Sequence, residues 1–541
     1  MSSSGITRLS AVDTSFLVQE HAASHMHIGG VVIFEGPMPD IEKIKAHVES
    51  RLHYIPRFRQ RIAVPRFQAG RPFWVDDQRF NLDYHVRDTA LPAPGNDEQL
   101  ERLAARIFSQ RLDRRKPLWE LWFVDGLSGG RFAMINKSHH AMIDGMAGID
   151  VATVLFDLEP NQEVTPAEPW RPRQTPTQSD LIAEGVRDVM RAPLKIAKRT
   201  AKAIENPAAA RADIAEVAGG ALRAVSETLG AAPRAPLNAD IGPHRRYEFV
   251  RCSLADFKDI KDMLGGTVND AVLTVVADGL GRWLRGRYFP TNDLRLRALV
   301  PVSTRGKKRG TKAESGNELV AMRGILPVGE MDILERHTFV KNAMDDLKSS
   351  NQAVAASVLT AVQSFAPPSV LAQASRLNFS TRLFNLLVTN VPGPQIPLYL
   401  LGRPAIDSFP IPFLAQNHGL AVAVMSYNGG LNFGLLGDYD VLHDLDALAA
   451  AIADSRDDLL DAAREVRDKV HELQSDPAIQ KKVVAAKKAE AVAKSGNATA
   501  SRAKAPRKVN PKSGDPVPVA TNGNVTDIGI NTGSKSGTDA S

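Results

Sequence analysis

The 541-residue sequence predicts a mixed α/β (α+β) fold in which two globular halves are joined by a long helical crossover. Three observations predict it. Short β-branched runs alternate with amphipathic segments in both halves, which favours strands and helices in turn. Each half contains a pair of apolar runs separated by glycines, which is typical of a β-hairpin. A stretch rich in proline and alanine separates the halves, and the end of the chain has no aromatic residue and no leucine.

The first half, residues 1–165, is expected to form a domain of strands and helices. Its strands are predicted from continuous apolar runs, and its helices from apolar residues at helical spacing. Between two of the runs, Ser128-Gly129-Gly130 supplies the turn glycines of a hairpin. The expected elements are a strand at Val31–Phe34, a helix at Ile41–Leu52, strands at Leu118–Val124 and Phe132–Lys137, and a helix at Met146–Leu158.

Residues 166–243 are expected to form the helical crossover. The segment opens with several prolines and continues with alanine-rich text. Within it, Arg187–Lys202 carries six basic residues and one acidic residue, with apolar residues interspersed. Such a segment is either a solvated linker or a helix that docks on an anionic lipid surface. The sequence leaves both interpretations open.

The second half, residues 244–474, repeats the mixture of strands and helices. A helix that begins near Thr267 carries apolar residues on one face, and Asn428-Gly429-Gly430 marks a second hairpin. The expected elements are strands at Tyr247–Cys252, Leu296–Val302, Leu319–Leu326, Leu420–Ser426 and Leu431–Leu436, and a final helix from His443 to about Leu473.

Residues 475–541 are expected to be a disordered basic tail, because they cannot bury enough apolar surface to offset the cost of ordering. From Lys481 onward there are 11 Lys/Arg and 4 Asp/Glu, so the tail accounts for the whole net charge of +6. The rest of the chain is close to neutral, and a nucleic-acid-binding core is therefore not predicted.

The single cysteine, Cys252, excludes a disulfide framework and a multi-cysteine metal site, and it suits a reducing compartment. Cys252 itself is expected to be a small core residue. No apolar run approaches the roughly 20 residues that cross a bilayer, and no secretory signal is recognisable. We expect a cytoplasmic protein that can still touch a membrane surface.

The segment with the most candidate catalytic residues runs from Asn136 to Gly145 and has the sequence NKSHHAMIDG. A predicted strand ends in His139 and His140, and Asp144 and Gly145 follow at the predicted start of a helix. Imidazole titrates near neutrality, so it can take a proton from a hydroxyl nucleophile and return it later. A His-His pair alone is more often a pair of solvated loop residues, and the Asp-Gly that follows favours a functional interpretation.

Residues 139–145 match the HHxxxDG motif of CoA-dependent acyltransferases, and the chain resembles the bacterial wax ester synthase/diacylglycerol acyltransferase family. HHxxxDG by itself also occurs in peptide-synthetase condensation domains. The further matches, in the right order along the chain, are Leu9–Asp13, Pro117–Trp119, Asn269-Asp270, Gly316–Glu318 and Asn390–Pro394. The resemblance implies two chloramphenicol-acetyltransferase-like domains with the active site in a tunnel between them.

The resemblance also implies roles for the matching residues. His140 is the expected general base, and His139 is expected to be structural or substrate-positioning. Asp144 and Asp270 are expected to be structural, and Gly145 leaves room for close approach of a substrate. Asn269 is expected to help stabilise the tetrahedral intermediate, because donors at a helix start favour developing negative charge; an ordinary helix cap is the alternative.

Other residues are weaker candidates. Pro117, Leu118 and Trp119 are expected near the acyl or alcohol channel, although Trp119 is equally well a core residue. Arg305, in a basic loop, is a candidate contact for the phosphates of coenzyme A or a solvated residue. His21, His25 and His27 lack the cysteines or carboxylates of a metal centre, so no metal site is predicted.

The function implied by the resemblance is acyl transfer from long-chain acyl-CoA to diacylglycerol or a fatty alcohol, with His140 as base and no acyl-enzyme. Acyl-CoA is then a substrate, and no cofactor is expected. Two rival functions remain: a condensation-type enzyme that uses carrier-protein-bound acyl chains, and a non-catalytic lipid-binding member of the family.

Overall fold

A strand from the second half of the sequence completes the sheet of the first half. The computed structural model describes residues 7–66, 70–142, 154–161, 166–167, 169–191, 231–303, 319–349 and 380–476. Both halves belong to one unit that extends to Lys469. Strands in this unit form two six-stranded sheets and one three-stranded sheet among the described residues.

Fifteen strands and nine α-helices are present in the described part of the chain. The strands are β1 (Thr7–Arg8), β2 (His27–Phe34), β3 (Gln60–Ala63), β4 (Phe73–Asp76), β5 (Val86–Ala90), β6 (Trp119–Leu127), β7 (Arg131–His139), β8 (Arg245–Val250), β9 (Arg295–Ser303), β10 (Leu319–Pro327), β11 (Leu386–Pro392), β12 (Tyr399–Leu400), β13 (Arg403–Ile411), β14 (Leu420–Tyr427) and β15 (Gly430–Asp438). The helices are α1 (Ala11–Gln19), α2 (Ile41–Arg51), α3 (Leu82–His85), α4 (Asp97–Ser109), α5 (Gln178–Arg191), α6 (Leu254–Leu264), α7 (Val268–Gly286), α8 (Ile333–Ser349) and α9 (Leu445–Ser475).

The first large sheet has the order β12-β13-β2-β7-β6-β5. Its strand β2 is buried on both faces, because successive side chains alternate between them. Val31 and Ile33 pack in one core cluster with Leu100 of α4, whereas Val32 and Phe34 pack in another with residues of α2. This double burial explains why the apolar run in the sequence is continuous rather than alternating.

The second large sheet has the order β10-β9-β11-β14-β15-β8. One of its faces packs against α7 and α9 in the largest core cluster. The other face meets β13 of the first sheet, where Tyr247 Oη donates to the Pro410 carbonyl at 3.2 Å. A Cβ at Gly434 would lie 1.7 Å from that carbonyl oxygen, so only glycine permits this approach.

Both predicted hairpins are confirmed. β6 and β7 pair antiparallel around the turn at residues 128–130, and β14 pairs with β15 from Leu420 to Tyr427. Asn428 and Gly429 both have positive φ, 43° and 87°, as a two-residue hairpin loop of the favoured hand requires.

For other predicted segments, the described residues include only a part. Of the helix expected at Met146–Leu158, residues 146–153 lie outside the described residues, and helical structure covers residues 154–155. The basic segment Arg187–Lys202 begins within α5, but residues 192–230 lie outside the described part. The tail from residue 477 onward also lies outside it.

Candidate active site

Strand β7 presents the two histidines at the end of its run through the middle of the first sheet. The His139 N–H donates to the Leu118 carbonyl at 3.0 Å, and the His140 N–H donates to the Met26 carbonyl at 2.9 Å. His140 then begins a short 3-10 turn that ends at Met142. The neighbouring strands on both sides therefore fix the backbone of the pair.

Two aromatic rings enclose the half-buried imidazole of His140. Phe16 of α1 stacks on it, with ring centroids 3.8 Å apart and planes inclined by 23°. Phe413, which follows β13, meets it edge-on at 5.5 Å and 88°. Because Phe413 comes from the second half of the sequence, His140 lies where the two halves meet.

His139 faces the opposite way and is fully buried. Its Nδ1 accepts a hydrogen bond from the Ala141 N–H at 3.0 Å, so Nδ1 carries no proton and the neutral ring is protonated at Nε2. That Nε2 lies 3.5 Å from Oε2 of Glu20. Burial lowers the pKa of His139, and the Glu20 carboxylate opposes the shift only in part.

Glu20 is a buried carboxylate at the end of α1, held by two arginines. Arg111 donates to its Oε1 from Nε and Nη2 at 3.0 and 2.9 Å, and Arg114 pairs with its Oε2. Burial alone would raise the pKa of Glu20. The contacts with His139 and the two arginines outweigh burial and lower it to about 2, so the carboxylate is ionised at neutral pH.

Lys137 anchors β7 to a helix end. It is buried, and its Nζ donates to the carbonyls of Ile107 and Gln110 at 2.8 and 2.6 Å. A cation at the C-terminus of α4 is favourable because the last carbonyls of a helix carry partial negative charge. Burial lowers the pKa of Lys137 to about 8. This residue is therefore structural.

Of the three candidate histidines near β2, His25 and His27 are buried close to His139, and His21 accepts from the Ala23 N–H through Nδ1 at 3.3 Å. His25 directs its ring nitrogens toward the carbonyls of Phe108 and Ala22 at 3.3 and 2.9 Å. His27 pairs with His139 across the β2–β7 ladder, and burial together with Lys137 lowers its pKa well below the ordinary value. Among the described residues, no group of three or more candidate ligands could hold a metal ion.

Asn269 lies in the first turn of α7, but it is not the cap of that helix. Thr267 is the cap, and Asp270 completes a capping box by accepting from the Thr267 N–H at 2.8 Å. The alternative that Asn269 is an ordinary helix cap is therefore wrong. Its Oδ1 accepts from Nδ2 of Asn390 at 3.4 Å, and within the described ranges its amide nitrogen makes no hydrogen bond.

Strand β11 connects the surroundings of Asn269 with those of His140. Asn390 of this strand contacts Asn269. Leu387 of the same strand packs in the small apolar cluster that contains Met26 and Phe413. Leu387 and Asn390 are three residues apart, about 10 Å along the strand, and their side chains point to opposite faces. Strand β11 therefore contacts the surroundings of both predicted site motifs, one from each face.

The Pro117-Leu118-Trp119 segment supports the site from the core. All three residues are buried. Trp119 stacks on His85 at 4.5 Å and donates from Nε1 to the Phe58 carbonyl at 2.8 Å. Trp119 is therefore a core residue, which was one of its two interpretations. Leu118 supports the site because its carbonyl accepts from the His139 N–H.

Three predicted site residues lie outside the described residues, namely Asp144, Gly145 and Arg305. Cys252 is a member of the largest core cluster, and burial raises the pKa of its thiol to about 12. A protonated, buried thiol of this kind is a poor nucleophile.

Sequence reasoning missed Glu20, Phe16 and Phe413 as neighbours of the histidine pair. Glu20 and Phe16 are close in sequence to the matched stretch Leu9–Asp13, which was a usable signal. Nothing near Phe413 in the sequence indicates its contact with His140.

The chain is similar to known proteins over most of its length. The family described as wax ester synthase/diacylglycerol acyltransferase catalytic domain matches residues 9–272, and its C-terminal domain matches residues 315–459. A probable diacylglycerol O-acyltransferase of Mycobacterium tuberculosis, tgs1, is 32% identical over 460 residues, which cover 83% of this chain and 95% of the relative.

Two solved structures share the fold. The wax ester synthase/diacylglycerol acyltransferase from Marinobacter aquaeolei VT8 is 25% identical, with a TM-score of 0.60 over 84% of this chain and 100% of that one. The starter condensation domain of rhizomide synthetase is 14% identical, with a TM-score of 0.50 over 85% and 95% of the two chains. The predicted two-domain, chloramphenicol-acetyltransferase-like fold class is thereby confirmed.

Proposed function

Because the chain belongs to the wax ester synthase/diacylglycerol acyltransferase family, we propose that it transfers an acyl group from long-chain acyl-CoA to a hydroxyl group. The acceptor is diacylglycerol or a long-chain alcohol, and the products are triacylglycerol or a wax ester and free CoA. This reaction needs a base for the hydroxyl, a donor for the oxyanion and a site that holds both substrates.

The observation that carries the proposal is the placement of His140. Its backbone is fixed by Met26, and its ring is enclosed by Phe16 and Phe413 from different parts of the chain. A base held rigidly where two domains meet suits a reaction between two bound substrates, because orientation lowers the barrier without further ordering.

In the proposed reaction, His140 accepts the proton of the acceptor hydroxyl as its oxygen attacks the thioester carbonyl carbon. The carbonyl oxygen becomes an oxyanion. The carbon–sulfur bond then breaks as the carbonyl re-forms, and the thiolate of CoA accepts the proton from the imidazolium of His140. The acyl group moves directly from sulfur to oxygen, and Cys252 has no part in this sequence.

Asn269 is proposed to donate to the oxyanion. In support, its Oδ1 accepts from Asn390, and none of the residues that the structure describes accepts from its amide nitrogen. The first turn of α7 adds the positive end of a helix dipole, which favours a developing negative charge. Asp144 and Gly145 are proposed to shape the loop after His140, and Arg305 to meet a phosphate of CoA.

A product assay tests the proposal. Purified protein receives long-chain acyl-CoA with diacylglycerol and a fatty alcohol together, and the esters are quantified, with His140→Ala as the control. We expect ester formation by the parent protein only. Ester formation from a carrier-protein-bound acyl chain in preference to acyl-CoA would favour the condensation-type alternative, and a folded protein without any transfer would favour a lipid-binding role.

Lipid acceptors also imply contact with a lipid surface. In the described part of the chain, no helix has the length and apolarity to cross a membrane. We therefore propose peripheral docking on a membrane or lipid droplet, with the basic segment Arg187–Lys202 as the contact. The test uses protein lacking residues 478–541. Changing Arg191, Lys195, Lys198 and Lys202 together to Gln should reduce its sedimentation with anionic vesicles. Equal sedimentation of the unchanged tail-less protein with anionic and neutral vesicles would contradict docking through charge.

A further inference from the structure

The contacts of His139 suggest how the site is held before substrate binds. Its Nδ1 accepts from the Ala141 N–H, one residue beyond His140. This bond closes the turn that begins at His140. It requires an unprotonated Nδ1, and hence a ring that is neutral and protonated at Nε2.

Glu20 supplies the group that faces this Nε2–H. Its Oε2 lies 3.5 Å from Nε2, and both side chains are 1% exposed. Among the described residues Nε2 has no aligned hydrogen-bond acceptor, so the carboxylate acts through its charge. In a buried site a negative charge attracts the N–H that faces it, which favours the Nε2–H form over the Nδ1–H form. A carboxylate that orients a histidine through one nitrogen, and so sets the function of the other, is a recurrent arrangement in protein sites.

The arginines explain how a carboxylate persists in this buried place. Arg111 donates to Oε1, and Arg114 pairs with Oε2, the oxygen that also lies 3.5 Å from Nε2 of His139. Their side chains are 47% and 43% exposed. Removing the carboxylate therefore does not leave a buried positive charge, and a variant at this position is expected to fold.

We propose that Glu20 is a positioning residue, which fixes the tautomer of His139 and thereby the backbone turn that presents His140. The chain of contacts runs from the Glu20 carboxylate through both nitrogens of His139 to the Ala141 N–H. Neither Glu20 nor His139 touches the reacting atoms. The inference rests on the proposed function only where it concerns the rate of acyl transfer.

The first test determines the tautomer of His139 and does not depend on acyl transfer. Protein with ¹⁵N-labelled histidine gives separate imidazole nitrogen signals, and those of His139 are identified by their loss in His139→Asn. We expect an unprotonated Nδ1 and a protonated Nε2 in the substrate-free protein at pH 7. A protonated Nδ1 would overturn the proposal, whether or not the protein transfers acyl groups.

The second test asks whether Glu20 acts through His139. Glu20→Met removes the acceptor at similar length, and His139→Asn keeps an oxygen near the place of Nδ1 while it loses the contact with Glu20. For histidines that bind a metal, loss of such a supporting contact costs about 10- to 100-fold in activity, and we expect the same range here. We expect Glu20→Met to lower kcat by that factor, with KM for acyl-CoA within about threefold of wild type.

Two further comparisons decide the interpretation. In the His139→Asn background, Glu20→Met should change kcat less than about threefold, because residues that act as a unit are not additive. Glu20→Gln, which keeps one acceptor oxygen, should recover part of the rate. Full additivity of Glu20→Met and His139→Asn would contradict an action through His139.

Asp76→Asn is the matched control. Asp76 is likewise a buried carboxylate paired with an arginine, Arg173, but it lies in β4, in the separate three-stranded sheet. We expect it to lower the melting temperature while leaving kcat and the His139 tautomer unchanged. An equal loss of kcat in Asp76→Asn and Glu20→Met would mean that Glu20 affects the rate only through the stability of the fold, and it would overturn the proposal.

Discussion

The ring of Phe413 meets the imidazole of His140 edge-on, with 5.5 Å between centroids, although the two residues come from opposite halves of the sequence. The contact exists because β13, a strand from the second half of the sequence, pairs with β2 in the first large sheet. Phe413 follows that strand and lies beside the imidazole, whereas Phe16 covers one of its faces; the two phenyl rings are themselves 6.0 Å apart. The position of the base thus depends on the packing of both halves.

Phe413→Ala should therefore lower kcat by about tenfold, because small displacements of a reacting group are costly. Phe413→Leu keeps apolar volume at the same place and should lose less. Steady-state rates with saturating acyl-CoA, at equal helicity by circular dichroism, measure the effect. A wild-type rate in Phe413→Ala would mean that enclosure from the second half is unimportant for the base.

Asn269→Ala should lower kcat by about 10²- to 10³-fold with little change in KM, since loss of an oxyanion donor acts mainly on the transition state. Asn390→Ala is the matched control, because Asn390 contacts Asn269 but has no proposed contact with the oxyanion. A larger loss of kcat in Asn390→Ala than in Asn269→Ala would show that the wrong amide has been assigned.

Asp270→Ala should destabilise the fold more than it slows the reaction. Asp270 is fully buried and accepts from both the N–H and the hydroxyl of Thr267. Loss of a cap of this kind costs about 1–2 kcal/mol, which thermal unfolding measures as a lower melting temperature. An unchanged melting temperature together with lost activity would argue for a direct role of Asp270 in catalysis.

The contact between α4 and β8 should make stability fall at alkaline pH. Glu101 accepts from the Phe249 N–H at 3.0 Å. Burial and the neighbouring Glu248 raise the pKa of Glu101, and burial and Asp446 raise that of Glu248. A carboxyl whose pKa is raised on folding contributes stability below its unfolded value, ordinarily 4.5, and loses it as the pH rises through the folded value.

Folding raises the two pKa values to about 8 and about 7, so the melting temperature should decrease between about pH 5 and pH 8. Glu101→Gln should decrease less, since the amide still accepts from Phe249. Glu98→Gln, on the exposed side of the same helix, should behave like the parent. Parallel pH profiles for Glu101→Gln and the parent would show that this carboxyl pair does not govern alkaline stability.

Local patterns in the sequence predict the hairpins, the helix after Thr267 and the histidine motif, because turn residues and spacing act over a few positions. The pairing of β13 with β2 is beyond such reasoning, since it joins strands from opposite halves and its register depends on tertiary packing. The same holds for Phe413. Glu20 is intermediate: its sequence neighbourhood is recognisable, but only the fold brings its carboxylate to His139.

The most direct test of the account is the rate of ester formation by His140→Ala, with long-chain acyl-CoA and both acceptors present and the fold checked by thermal unfolding. Removal of a general base typically costs about 10²- to 10⁴-fold in rate. The account predicts a loss in this range at an unchanged melting temperature, with a smaller loss in His139→Ala. A His140→Ala rate within about tenfold of wild type, or a greater loss in His139→Ala, would contradict it.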